Sequence, residues 1–385
     1  MKHFKLSLSC IATAALLTAC GGDDGKIQFT QVVTFGDSIS DSGAYKVGTI
    51  AQLGGGKFTV NGLRDSVWPE ALAANLGVPA QCSAQTGLQP NNDITGAPVV
   101  NIATCYNYAQ GSGRVTAVGS GPGGVALQMA FNEKNEGKLA DSIQNQMNRH
   151  LAKAPTFGAN ELVTVNGGGN DFFMQLTAVG AAGGGGPGAV ATGTVAGWSA
   201  ATLTIVGDGG PTASGAAAGA AVAGMGQAGA ELASYVKSLI VAKGARYVVV
   251  RNLGDLNGTP FGSTFDAGTK QLSTAMITTF NDQLKLGLTG LAGVIYFDDY
   301  AWGQASLANL AMSGYSNIAG AACGRDAFSA AGDVIGSSLI CNAKTLIPVD
   351  TSKYFFADSV HPTPYAHQNA ANYTVTLMRK AGWDF

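Results

Sequence analysis

Ser38 closes the segment Val32-Val33-Thr34-Phe35-Gly36-Asp37-Ser38, which reads as a buried β-strand ending in a glycine bend. A serine presented at the carboxyl edge of a sheet exposes its Oγ, and backbone N–H groups beside it can bind a developing oxyanion, as nucleophilic acyl transfer requires. The following Ser40, Asp41 and Ser42 read as caps of a turn or a helix start. A serine nucleophile needs a base, and beyond residue 20 the chain offers only His150, His361 and His367. His361 lies in Phe356-Ala357-Asp358-Ser359-Val360-His361-Pro362, where Pro362 keeps it out of helical geometry, so it stands on a loop. Asp358, three positions earlier, can fold back to accept a bond from Nδ1–H, the tautomer that leaves Nε2 free for the serine. His367, inside the helix that follows, and His150, near the end of another, read as solvated surface residues.

Two further segments end strands in the same way. Val165-Asn166-Gly167-Gly168-Gly169-Asn170-Asp171 offers the Asn170 amide as an oxyanion donor on the edge that carries Ser38. By itself such a segment is an ordinary turn; its weight comes from its company. Asn107-Tyr108-Ala109-Gln110-Gly111-Ser112-Gly113 offers Gly111, whose bare backbone N–H can approach a substrate closely.

These residues need a scaffold that brings distant segments to one edge. Apolar, β-rich runs at Gln31 to Phe35, Val99 to Ala103, Glu161 to Asn166, Arg246 to Asn252 and Gly293 to Asp298 predict buried strands. Helices are expected at Ser66 to Leu76, Lys138 to Ala152, Gln227 to Ala242, Gln271 to Leu288 and Pro364 to Lys380. This alternation predicts an α/β fold, a parallel sheet covered by helices on both faces in the flavodoxin-like manner, with chemistry at the strands' carboxyl ends. Phe172 to Ala230, almost wholly Gly, Ala, Thr and Val with Asp208 its only charge before Ala230, reads as a loosely packed insertion without a fixed-period repeat. Part of it, around Val179 to Thr212 with Trp198, Leu203, Ile205 and Val206, is a candidate mobile cover over the acyl site, the alternative being a permissive surface loop.

The chain has 385 residues, enough for a large core, and a net charge of -2 with no basic run beyond Arg379-Lys380, which argues against nucleic acid as a partner. With 12% charged residues and 55 Gly it is too apolar for disorder, and long irregular connections are expected. Lys2 and Lys5, the apolar run Leu6 to Leu17 and small residues before Cys20 read as an export signal too short to span a bilayer as a permanent helix. Leu17-Thr18-Ala19-Cys20 looks like a bacterial lipobox. Residues 1–19 would then be removed, Cys20 would carry lipid, residues 20–29 would form a tether and residues 30–385 the globular domain. The expected location is exported and membrane-anchored, at the outer membrane or cell surface; the alternative is periplasmic or secreted. Cys82, Cys105, Cys323 and Cys341 remain as an even set in an oxidising compartment, so disulfides are expected. Three pairings are open; joining sequence neighbours would staple one loop each, and the spacing does not resemble a zinc site.

Taken in order, Gly36-Asp37-Ser38-Ile39, Gly111, Gly168-Gly169-Asn170-Asp171 and Asp358-Ser359-Val360-His361 resemble the four blocks of the GDSL, or SGNH, hydrolase family. Asn61-Gly62 leading to Trp68, and Gly244-Ala245-Arg246 leading to Leu253-Gly254-Asp255, resemble its longer lipase and esterase members, so the likeness runs from about residue 30 to the end. The resemblance implies a three-layer α/β/α domain that hydrolyses carboxylic esters, lipid, aryl or acyl, through an acyl-enzyme on Ser38. It implies His361 as base, Asp358 as orienting acid, and an oxyanion hole of the Ser38 and Gly111 N–H groups and the Asn170 side chain. No metal and no cofactor is implied. The partners expected are a small-molecule or lipid ester and the membrane holding the lipid anchor, the protein itself being a monomer. Ile39 replaces the Leu of the family name, and Ser112 stands where a second Gly is common.

Rival readings fare worse. Gly119 to Gly124, Gly183 to Gly188 and Gly224 to Gly229 each fit the dinucleotide fingerprint G-x-G-x-x-G, but none opens a strand-turn-helix unit with an acidic ribose partner. No Gly-x-Ser-x-Gly of an α/β-hydrolase occurs. The non-enzymatic alternative, a lipid-anchored surface binding protein on the same fold, has to explain why Ser38, Gly111, Asn170, Asp358 and His361 are all intact.

Overall fold

The computed structural model describes residues 25–62, 64–90, 94–117, 140–309, 313–326, 329 and 334–385. The export signal, Cys20 and the Gly119 to Gly124 motif lie outside the described residues.

Strands β1 (Gln31–Phe35), β4 (Glu161–Asn166), β5 (Tyr247–Arg251) and β6 (Val294–Phe297) form a four-stranded parallel sheet in the order β1-β4-β5-β6. Register is continuous, with Phe35 beside Val165, and Val165 beside Val250. Successive side chains point to opposite faces, and β1, β4 and β5 are buried on both, while the edge strand β6 is half-buried up to Phe297. Val33, Phe35, Val163, Val165, Val248 and Val250 join the core beneath helices α3 (Ile143–Lys153), α4 (Gly169–Ala182), α7 (Gly210–Tyr235) and α8 (Ala267–Leu288). Val32, Leu162, Val249 and Phe297 meet α2 (Trp68–Asn75) and α10 (Pro364–Lys380) on the other face. Three layers, helix-sheet-helix, result.

The strand expected at Val99 to Ala103 is not in this sheet. Residues Ala97–Asn101 form β3, which pairs antiparallel with β2 (Gln85–Leu88) in a separate hairpin, with Val99 54% and Val100 50% exposed. The place beside β1 is taken by the next segment: the Thr34 N–H donates to the Tyr106 carbonyl at 3.0 Å, and the Tyr108 N–H to the Thr34 carbonyl at 2.8 Å. Apolarity alone favoured the Val-Val pair. The alternating aromatics Tyr106 and Tyr108 bury better, with Tyr108 stacked on Phe35 at 5.4 Å. Counting that segment as the second strand gives the chain order 2-1-3-4-5 of flavodoxin-like sheets, whose direction reverses between β1 and β4.

The Gly/Ala-rich stretch is also corrected. It is helical: α4, then α5 (Gly186–Val195), α6 (Ala200–Asp208) and α7, which runs on through a π-turn at Val236–Ile240. Alanine is the best helix former, and Ala213, Ala217, Ala221, Met225, Ala228 and Leu232 make a buried stripe at helical spacing. Glycine lowers propensity but admits close neighbours. A Cβ at Gly229 would collide with the Phe280 carbonyl, and one at Gly287 would lie 2.5 Å from the Ala233 Cβ, so α7 and α8 approach through small residues. Gly224 to Gly229 therefore lies inside a helix, and Gly183 to Gly188 joins two helices; neither is a nucleotide loop.

Candidate active site

The chain leaves β1 at Phe35 and turns at Gly36, whose N–H donates to Gln146 Oε1 at 2.8 Å and whose carbonyl accepts from Gln146 Nε2 at 2.9 Å. Glycine is required there because a Cβ would collide with Asn166 Oδ1, at the end of β4. Asp37, next in the turn, accepts from the Ile39 N–H at 3.2 Å and from Asn166 Nδ2 at 2.6 Å. Asn166 Oδ1 accepts from the Ser40 hydroxyl, which itself accepts from Trp68 Nε1 at 2.8 Å. Asp41 accepts from the Gly43 and Ala44 N–H groups at 2.8 and 2.7 Å, and Ser42 Oγ meets Ser83 Oγ at 3.1 Å. The expected turn caps are thus buried ties around the serine. Burial raises the Asp37 carboxyl above its ordinary value and pushes Asp41 up to about 6, against the pull of the N–H groups each accepts.

His361 arrives from the opposite end of the chain, on the loop between β7 (Tyr354–Phe356) and α10. Its Nε2 is 2.8 Å from Ser38 Oγ and its Nδ1 is 2.8 Å from Asp358 Oδ2. Asp358 also accepts from the Val360, His361 and Ser338 N–H groups at 2.9, 2.7 and 3.1 Å. Burial pushes its carboxyl up, but the His361 imidazole and these donors outweigh burial and hold it well below the usual carboxylate range. The Phe58 ring covers His361, with centroids 5.0 Å apart. Both disulfides join sequence neighbours: Cys82–Cys105 just before the edge segment at Tyr106, and Cys323–Cys341 beneath the loop that supplies the Ser338 N–H.

Asn170 opens α4 after Gly168, which adopts φ +100 where a side chain would meet the Phe280 ring. Asn170 is 9% exposed, lines the cleft beside Ser38, and spends one amide hydrogen on the Gly113 carbonyl at 3.1 Å; an Asn amide has a second. Gly111 departs from expectation. Its N–H donates to Asp41 Oδ2 at 2.9 Å, its carbonyl accepts from Tyr45 Oη at 2.7 Å, and it is not among the residues that line the cleft. A side chain at Gly111 would collide with the Phe58 ring, so glycine is needed there for packing next to the His361 cover. Ser112 follows with φ +65, the one non-glycine residue with positive φ among those described, which accounts for glycine being common at that position.

The cleft runs along the carboxyl edge and is lined by Ser38, Asp37, Asn170 and His361. Ile39, Phe173, Leu253, Leu256, Leu307 and Phe355 give it apolar walls. Trp198, Leu203, Ile205 and Val206 are not in that lining, and the Trp198 indole donates to Gln175 at 2.6 Å inside the helical layer, so a cover built from them is not what the structure contains. His150 and His367 are fully buried instead of solvated: His150 stacks on Phe157 at 4.5 Å, and His367 Nδ1 accepts from the Trp68 N–H at 3.2 Å. Sequence reasoning also missed Arg251 and Asp299, an ion pair at 3.0 Å in the cleft wall. A charge ending a buried apolar strand was the available signal.

A family model for GDSL-like lipases and acylhydrolases matches residues 32–374. The chain belongs to this family. Membership suggests an ester hydrolase with small-molecule substrates and agrees with the helix-sheet-helix architecture. No curated protein matches the chain. The two disulfides suggest an exported GDSL protein, and no helix among the described residues is long and apolar enough to cross a membrane.

Proposed function

We propose that this protein hydrolyses carboxylic esters through an acyl-enzyme on Ser38. The observation that carries the reading is the line Ser38 Oγ, His361 Nε2, His361 Nδ1, Asp358 Oδ2, with 2.8 Å at each hydrogen bond. His361 takes the hydroxyl proton as Oγ attacks the ester carbon, then returns it to the departing alcohol. Asp358 keeps Nδ1 protonated and stabilises the imidazolium. The oxyanion is received by the Ser38 N–H and the second amide hydrogen of Asn170. Gly111 serves indirectly: tied to Asp41, it fixes the loop whose Gly113 carbonyl aims Asn170. Water on the same His361 completes the cycle. The purified protein is expected to hydrolyse short-chain aryl esters, and His361→Ala to lose that activity; equal rates in the two would overturn the assignment.

We further assign residues 1–19 to a lipoprotein signal, Cys20 to the lipid attachment, residues 20–29 to a tether and 30–385 to one monomeric hydrolase domain within which 172–230 is an insertion. The lipobox-like Leu17-Thr18-Ala19-Cys20 supports this. Cys20→Ser should abolish labelling by a fatty-acid analogue and release the protein from membranes with its specific activity intact; a wild type that is itself soluble and unlabelled makes the protein periplasmic or secreted.

A further inference from the structure

Arg251 is the last residue of β5, where its neighbours Val248, Val249 and Val250 are fully buried. Arg251 is 5% exposed; its guanidinium lies over the Trp68 and Phe297 rings at 5.6 and 5.2 Å, and reaches Asp299 with Nη2 at 3.0 Å. Its Nη1 is buried and has no hydrogen-bond partner. Arg251 and Asp299 both line the cleft that holds Ser38. The strand order β1-β4-β5 puts two strand spacings, roughly 10 Å, between the backbone of β1, which leads into Ser38, and that of β5, which ends in Arg251. Helix α9 (Asp299–Ala308) forms that end of the cleft with Asp299, Gly303 and Leu307, four residues apart on one helix face. A Cβ at Gly303 would meet nothing within 4 Å, so the wall beside the ion pair is open.

The chemistry left unmatched there selects a ligand. The group without a partner is a donor, which an ammonium cannot satisfy because it has no acceptor. Asp37, Asp255 and Asp299 all line the cleft, which disfavours a carboxylate or phosphate. Asp255 is already matched, accepting from the Asn257 N–H at 3.0 Å and Gln304 Nε2 at 3.1 Å. A neutral hydroxyl fits both halves of the pair: it accepts from Arg251 and donates to Asp299. We propose that Arg251 and Asp299 are the specificity element of the cleft and select esters that carry a hydroxyl group roughly 10 Å from the scissile carbonyl. The proposal rests on Ser38 as nucleophile and adds a substrate class to that reading. An extended chain covers about 1.2 Å per bond, so the hydroxyl belongs about eight bonds from the carbonyl carbon.

The test uses two matched series with the full-length protein. In one, p-nitrophenyl octanoate is compared with its ω-hydroxyoctanoate analogue; in the other, hexyl acetate is compared with the monoacetate of hexane-1,6-diol, so that the hydroxyl lies about eight bonds from the carbonyl carbon in both. The wild type is expected to favour the hydroxylated member by about tenfold or more in kcat/KM in one series, which also tells whether the acyl or the alcohol part reaches the pair. Arg251→Met and Asp299→Asn should each bring that ratio close to one. Should either single variant fail to fold, Arg251→Met/Asp299→Leu replaces both charges with apolar groups, a change that buried ion pairs tolerate, and the same collapse of the ratio is expected. A wild type that hydrolyses all four esters without preference, or variants that keep the preference, overturns the proposal and leaves Ser38 as nucleophile. A wild type that hydrolyses none of them nor p-nitrophenyl acetate overturns both.

Discussion

The carboxyl edge of β1 and β4 and the helical layer that covers these strands from one side are built on opposite rules. At the edge, Asp37, Ser40, Asp41, Asn166 and Asn170 are buried polar residues, each matched to named donors or acceptors. In α4 to α8 the decisive residues are Gly and Ala, and what counts is the side chain they lack. The edge is intolerant of a change in chemical type, the helical layer of a change in size. Substitutions in the two regions should therefore fail in different measurements, the first in turnover and the second in stability.

The largest separation is expected for Ser38→Ala, which should lower kcat by about 10⁴-fold or more while the melting temperature stays within a few degrees of wild type. Ser40→Ala breaks the tie between Trp68 and Asn166 and should instead lower stability. Residual Ser38→Ala activity within tenfold of wild type would remove the serine from the chemistry. Next is Asn170→Ala, expected to cost about 100-fold or more in kcat with little change in KM, since its amide should bond the oxyanion more strongly than the ground-state carbonyl. A defect confined to KM would place Asn170 in substrate binding only. On the other side of the comparison, Gly229→Ala should cost about 1–3 kcal/mol of stability in denaturant titration, because the added methyl meets the Phe280 backbone, with kcat unchanged at temperatures where the variant is folded.

His150 sharpens the contrast because it is a titratable side chain within the helix-side core. Burial, and then Lys153, lowers its pKa from 6.5 to about 4. The folded state therefore binds fewer protons than the unfolded chain between those values, and stability falls as pH drops through that window. His150→Phe should remove about 2 kcal/mol of the loss between pH 7 and pH 5, read from unfolding curves at the two values. An unchanged slope would mean that the ring is protonated within the fold.

The same contrast explains what could be read from the sequence. Ser38, Asp358, His361 and Asn170 were legible because each sits at a strand end or beside a proline, and such punctuation survives in one dimension. The three-layer order followed from alternating apolar runs, and the two disulfides join sequence neighbours. Tyr106 to Tyr108 was missed in favour of Val99 to Ala103 because apolarity does not say which of two adjacent segments the sheet will accept. The helices from Gly169 to Tyr235 were hidden because glycine reads as loop until a neighbouring backbone is seen to need its place. Gly111 was read by type as an oxyanion donor, and only the position of Asp41 reveals that its N–H is already used. The depth of His150 and His367 and the pairing of Arg251 with Asp299 depend on packing across the sheet, which no local pattern records.

The central claim is that Ser38, activated by His361, is the nucleophile. Its most direct test is to treat the purified protein with a fluorophosphonate and locate the adduct by peptide mass spectrometry. A single adduct on Ser38 is expected, absent in Ser38→Ala and strongly slowed in His361→Ala. An adduct on another serine, or ester hydrolysis that persists with Ser38 unmodified, would contradict it.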